Sequence, residues 1–292
     1  MQGLVSDDEF PAARPTKRRG RPPGPTKAML ERYDTVTAIV NETAPTSVRH
    51  TYYTAITRGI IPKDTGGSRS NYNKIQRAVL ELRRSGQIPY SHIVDSTRWM
   101  RKPSSWSNIE HYLYNVQRSY RRDLWAHQDI DLEVWCESES IAGVLSAVTA
   151  RWDVPLFPCH GYSSETFAWG AAQNWLGDDR DPVVLYVGDL DRHGKQIEVD
   201  LRNKLEGFYG SEVDWTRVGI TEDQIKRHDL GGLATTDGHW EAEALPPDIM
   251  RADLAGAIES YVSPVALQAH EVAEGSEREI WAEIMETARG AL

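Results

Sequence analysis

Cysteine is almost missing from this chain: only Cys136 and Cys159 occur among 292 residues. Each closes an apolar stretch as a strand end does, without the close pairing of a zinc site, so both are expected as reduced, mostly buried thiols. Long hydrophobic runs are missing too. No stretch reaches the roughly 18 apolar residues of a membrane span, and the N-terminus is polar and charged, so neither a span nor a secretory signal is expected. Those absences suggest an intracellular protein. A Walker-type GxxxxGK[ST] loop is also lacking, so any ATP-driven step would need another polypeptide. No internal repeat is evident, and the length allows two modest domains, each large enough for its own core.

What the chain does contain is unevenly placed charge. Overall it carries ten more acidic than basic side chains. Up to His127, however, 21 Lys and Arg stand against 11 Asp and Glu, and beyond it 12 stand against 32. A basic front joined to an acidic back suits a protein whose first part holds phosphates and whose second holds cations.

Residues 1–30 include "PAARPTKRRGRPPGPTK", rich in Pro, Gly, Lys and Arg and too poor in periodic apolar residues to fold alone. Within this basic tail "RGRP", with Arg19 and Arg21, resembles an AT-hook core, whose arginines enter the narrow minor groove of A·T-rich DNA; simple phosphate binding is the alternative. Residues 31–105 are expected to form a winged-helix-like unit. "TSVRHTYYTAITRG" should be capped by Thr46 or Ser47 and stopped at Gly59. Its periodicity buries Val48, Tyr52, Ala55 and Ile56 and leaves Arg49, Tyr53 and Thr57 on a different, exposed face. "SNYNKIQRAVLELRRSG" reads as a helix capped by Ser70, burying Ile75, Val79 and Leu82 and showing Lys74, Arg77, Arg83 and Arg84 to solvent. That makes it a candidate DNA-facing helix, with Lys74, Arg77 and Arg84 as contacts, although a basic helix face is also simply well solvated. "QIPYSHIVDSTRW" should add a strand or wing.

A helical connector over residues 106–127 leads to a region, 128–262, that alternates "DLEVWC", "VPLFPC", "PVVLYVG" and "EVDWTRVGI" with amphipathic helices. The fold class is therefore α/β, with a mainly parallel sheet covered by helices. Residues 263–292 read as a C-terminal helix.

The chemistry concentrates in "VVLYVGDLDRHGK", where a buried strand stops abruptly at Asp189 and Asp191, with Gly194 behind them. "EVWCESES" places Glu137 at the same point of the first strand. Carboxylates this close repel unless a cation lies between them or one is protonated. Oxygen-only donors with room for water and phosphate suit Mg²⁺, and ligands of open parallel sheets gather at these strand ends. His160 and His193, near strand ends, could touch phosphate but are as readily ordinary polar neighbours.

A glutamate after the first strand followed by "DLDRHG" after a later one resembles the Toprim domain of topoisomerases, primases and some nucleases. With "VRHTYY" ahead of it, the order resembles the topoisomerase VI A subunit and the meiotic double-strand-break transesterase. "VRHTYY", "GYSSETF", "GDLDRHG" and "WEAEALPPDIM" are similar to pieces of short bacterial and phage A-subunit-like proteins. The resemblance spans about Thr46 to Tyr261. It implies Tyr53 as nucleophile, Arg49 as its phosphate-holding or phenolate-favouring partner, and Glu137, Asp189 and Asp191 as Mg²⁺ ligands. Two positions depart from the family pattern, Ser138 standing for a lysine and Arg192 for a proline.

The implied activity is Mg²⁺-dependent cleavage of double-stranded DNA by tyrosine attack, giving a 5′-phosphotyrosyl link. It also implies a homodimer with tyrosine and metal site from opposite subunits, a possible separate ATPase B-type subunit, no membrane, and a bacterial cytoplasm or nucleoid, with phage encoding open. Two other readings stay open: a metal-dependent nuclease in which Tyr53 only packs or bonds phosphate, and a non-catalytic DNA-binding protein.

Overall fold

The computed structural model describes residues 26–64, 69–93, 104–234 and 239–291. The tail carrying Arg19 and Arg21, and residues 94–99 of the expected wing, lie outside them; its described part, residues 87–93, forms no strand beyond a single bridge. Three helices come first: α1 (Lys27–Thr43), α2 (Val48–Thr57) and α3 (Ser70–Arg84). Ser47 caps α2, its hydroxyl accepting from the His50 amide at 3.2 Å, and Gly59 follows the helix at φ 68°, a left-handed turn that suits a residue without Cβ. The cap of α3 differs from the expectation. Ser70 is its first helical residue, and the orphan amides of Asn71 and Tyr72 are received from outside by the Asp64 carboxylate at 2.9–3.0 Å. After α3, Tyr90–His92 forms a short 3₁₀ turn, and Ile93 bridges Thr46.

Helix α4 (Ile109–Ser119) covers only the middle of the expected connector and packs against the last helix. Then come β1 (Ile130–Cys136), α5 (Glu139–Trp152), β2 (Leu156–Pro158), α6 (Glu165–Leu176), β3 (Asp181–Val187), α7 (Arg192–Tyr209), β4 (Asp214–Gly219), α8 (Glu222–Arg227), α9 (Pro247–Glu259) and α10 (Pro264–Ala291). The four strands form one parallel sheet in the order β2-β1-β3-β4. The fold is α/β, as the alternation required.

Side chains alternate across the sheet. Leu132, Val134 and Cys136 of β1 and Val183, Leu185 and Val187 of β3 face a core shared with α5 and α9. Trp135, Val184 and Tyr186 face the opposite way, against Ala168, Ala171 and Trp175 of α6 and Leu201 and Leu205 of α7. The first core does not stop at the sheet. It runs on without a break to Val36, Ile39 and Val40 of α1 and Ile75, Val79 and Leu82 of α3, each such side chain contributing about 1.5–3 kcal/mol on burial. The helical unit and the sheet, which the chain length would allow a core each, thus share one.

Both cysteines are free and buried. Among the described residues no helix is long and apolar enough to cross a membrane.

Candidate active site

Because every strand is parallel, all four carboxyl ends lie on one edge. Register sets the acids there. Cys136 pairs with Val187, so Glu137 stands level with Gly188, one residue short of Asp189. Past that point each of the three predicted ligands is pinned through a single oxygen by a backbone amide. Glu137 Oε2 accepts from Asp189 N at 2.9 Å, Asp189 Oδ1 from Ala242 N at 2.7 Å, and Asp191 Oδ1 from Gly194 N at 2.5 Å, this last being the N-cap of α7. The second oxygen of each carboxylate accepts no hydrogen bond among the described residues.

Gly194 is needed here for space. A Cβ at this position would stand 2.5 Å from the Asp189 carbonyl oxygen and 2.8 Å from its Cβ, so only glycine lets the first turn of α7 close over Asp189. From the other side Arg217 of β4 holds the strand end. Its Nη1 donates to the carbonyls of Gly188 at 2.8 Å, Ile220 at 3.2 Å and Asp189 at 3.3 Å, while Glu198 neutralises it. Ser138, where the resembling family carries lysine, caps α5, its hydroxyl accepting from Ile141 N at 3.3 Å.

The electrostatics follow from the crowding. Burial first, then the neighbouring Glu137 and Glu243 carboxylates, push Asp189 up to about 8, against the pull of the Ala242 amide. Glu137 is raised as well, by burial and then by Glu243 and Asp191, the Asp189 amide opposing. Two adjacent acids raised together favour a retained proton or an added cation beside them. Among the described residues, no three His, Cys, Asp or Glu side chains are already assembled as a cation site.

Helix α2 delivers the tyrosine, and here the expectation of an exposed residue fails. Tyr53 is 4% exposed, and Tyr52 beside it is buried as well. Helical periodicity assigned α2 one buried face, but the helix is covered on a second side by the 3₁₀ turns Leu230–Leu233 and Ala242–Ala244. The Tyr53 hydroxyl donates to Glu241 Oε2 at 2.7 Å, and Lys63 Nζ lies 5.5 Å from its ring centroid. Burial, then the charge and hydrogen bond of Glu241, raise the phenol well above its ordinary range. Arg49, one turn earlier and half exposed, places Nε 3.1 Å from the same Glu241 oxygen and Nη1 3.8 Å from Glu243 Oε1. Burial works against the Arg49 charge, but Glu243 and Glu241 outweigh it and hold the guanidinium more firmly protonated than usual.

Glu241 and Glu243 are the residues that sequence reading left without a role. They flank Ala242, whose amide holds Asp189, and Glu243 is buried, accepting from Ser140 Oγ at 2.6 Å. This short segment joins the tyrosine to the acidic edge within one chain. A signal was present in "WEAEAL", where two acids repeat the one-residue spacing of Asp189 and Asp191.

The predicted DNA contacts stand elsewhere. Lys74, Arg77 and Arg84 are exposed on α3, Lys74 donating to Asn71 Oδ1 at 2.8 Å and Arg84 lying 3.8 Å from Glu81. No hydrogen bond among the described residues ties them to the acidic edge. An open cleft of about 410 Å³ beside Asp191 is lined by Arg192 and Lys195, the sign of charge a phosphate needs. A second, of about 360 Å³ between α10 and the end of α5, shares no residue with the edge. His160 lies 3.2 Å from Glu139, and His193 makes an edge contact with Tyr162. No family model, curated protein or solved structure matches the chain.

Proposed function

We propose that the protein is a Mg²⁺-dependent, DNA-cleaving transesterase of the topoisomerase VI A type, with a winged-helix-like unit ahead of a Toprim domain. One observation carries this reading: the Glu241–Glu243 segment joins Tyr53 and Arg49 to Asp189 on the edge that also bears Glu137. The donor set fits the metal, being hard oxygens, each with one oxygen still unengaged and two with raised proton affinity that a cation would relieve. Bound by Glu137, Asp189 and Asp191, Mg²⁺ would supply positive charge to the scissile phosphate and the departing 3′ oxygen. Arg49 holds a phosphate oxygen by charge-assisted hydrogen bonds, and Tyr53 attacks phosphorus in line. One phosphodiester is exchanged for another, so the 5′-phosphotyrosyl link keeps the bond energy and the break can be resealed. The exposed basic residues of α3 hold backbone phosphates. A homodimer, and a separate ATPase subunit for strand passage, belong to the same reading, although the Glu241–Glu243 segment links Tyr53 to the acids of its own chain and not to those of an opposite subunit.

A second reading, a Toprim-type nuclease in which the acids activate water, is favoured by the burial of Tyr53, which phosphate reaches only after the phenol is uncovered. Incubation of the purified chain with supercoiled DNA and Mg²⁺, then denaturation with and without protease, separates the two. Transesterification leaves protein on 5′ ends that protease releases, and Tyr53→Phe abolishes it. Free-ended product from both chains would establish the nuclease instead.

A further inference from the structure

We propose that Glu241 is the catalytic base that takes the phenol proton as Tyr53 attacks, an inference that rests on the transesterase reading above. The geometry has the three parts an activated nucleophile requires. The nucleophile's O–H donates to the base at 2.7 Å, inside the reach a proton transfer demands. The base is oriented by a third group, Arg49, whose Nε lies 3.1 Å from the oxygen that receives the proton. Glu241 also keeps contact with solvent, its side chain 25% exposed, so the proton has a route out, whereas Glu243 is closed in at 3%.

The other groups around the phenol do not compete for this role. Tyr52 on the same helix is turned to Asp64 rather than to Glu241, its oxygen accepting from the Asp64 amide at 2.9 Å. Lys63 Nζ is held by the Leu233 carbonyl, Arg49 is a cation, and Glu243 is engaged by Ser140. A resting hydrogen bond to a carboxylate stabilises the protonated phenol, so the pair is poised rather than pre-ionised. The proton moves only when the oxygen begins to bond to phosphorus.

The step balances. The Tyr53 Oη–H bond breaks and the proton passes to Glu241 Oε2 as the Oη–P bond forms and the P–O3′ bond breaks. The 3′ oxygen takes a proton from water, and Glu241 returns its own to water. Resealing runs the same path backward.

The test compares wild type, Glu241→Gln, Glu241→Asp and Tyr53→Phe for the rate of covalent DNA adduct formation with Mg²⁺ from pH 6 to 10. Glu241→Gln keeps the shape of the side chain and a hydrogen bond to the phenol but cannot accept a proton. It is expected to slow adduct formation about 100-fold near neutrality. The loss should shrink about tenfold per pH unit as hydroxide replaces the base, with Glu241→Asp intermediate. Thermal melting and DNA retention of each variant, expected to be unchanged, guard against misfolding. Glu241→Gln that forms adducts at the wild-type rate, or a loss that alkali does not relieve, overturns the proposal while leaving Tyr53 as nucleophile. Adducts from Tyr53→Phe, or none from wild type, overturn the transesterase reading and this inference with it.

Discussion

On α3 the positive charges of Lys74, Arg77 and Arg84 stand in water, whereas at the sheet edge Glu137 and Asp189 are partly buried and Glu243 almost wholly so. The two regions use charge differently. Exposed cations cost little to fold and act on a distant polyanion additively, phosphate by phosphate. Clustered acids at a strand end raise one another's proton affinity, so they act as a unit whose state depends on pH and on a cation. Under the proposed function, the first region would hold DNA and the second would gate the chemistry.

The largest way to break that contrast is at Asp189. Asp189→Asn should remove Mg²⁺-dependent cleavage, lowering the rate by about 10²–10³-fold, while DNA retention without metal is unchanged; gel assay and filter binding read the two. Cleavage at the wild-type rate would remove the acids from the chemistry.

Next in size is the basic face. Replacing Lys74, Arg77 and Arg84 together by Ala should lower the slope of log K against log salt by up to about 3, one per lost phosphate contact, uniformly across DNA sequences. Melting temperature should hold, because all three are exposed. A loss confined to certain sequences would mean base readout instead.

The acid edge also makes a pH prediction with a definite sign. Asp189 is raised to about 8 in the folded chain from ~3.9 unfolded, so the folded state keeps a proton that the unfolded state loses. Stability should therefore fall as pH rises between those values and level off above about 8. Glu133, pushed up to about 7 by burial in the middle of β1, adds to the same slope. Calorimetry across pH 4–9 should show a flatter profile for Asp189→Asn, and a remaining slope that Glu133→Gln reduces. At pH 8, Mg²⁺ at a hundredfold excess over Kd should stabilise wild type by about 2.7 kcal/mol and Asp189→Asn by much less.

The smallest effect is local. Asp191→Ala should cost about 1 kcal/mol through loss of the α7 cap, whereas Asp191→Asn, an equally good cap, should be near neutral in stability yet impair cleavage. Urea unfolding and the cleavage assay together separate capping from metal binding at this position.

Much of this edge was legible because a strand buried on both faces must be apolar throughout, so the residue at which the run stops announces the strand end. That is how Glu137 and Asp189 were placed, and how α3, with Ile75, Val79 and Leu82 on one face, was recognised as a helix. Tyr53 was misplaced for a related reason: periodicity counts one buried face, and α2 has two, the second covered by a segment far along the chain. Asp64 as the cap of α3 was equally hidden, since nothing in the helix itself names the carboxylate that folds back to receive its amides.

By itself, the amino-acid order determined the α/β class, the four strands, the split between a basic front and an acidic back, and the position of three acids just beyond buried strands. Each follows from hydrophobic burial or charge read within a few residues. Tertiary structure alone decided that Tyr53 is buried on Glu241, 188 residues away, and that Arg49, Glu243 and Asp189 meet around the same short segment. A hydrogen bond between such distant residues depends on how helices and sheet pack over a common core, which local periodicity does not encode.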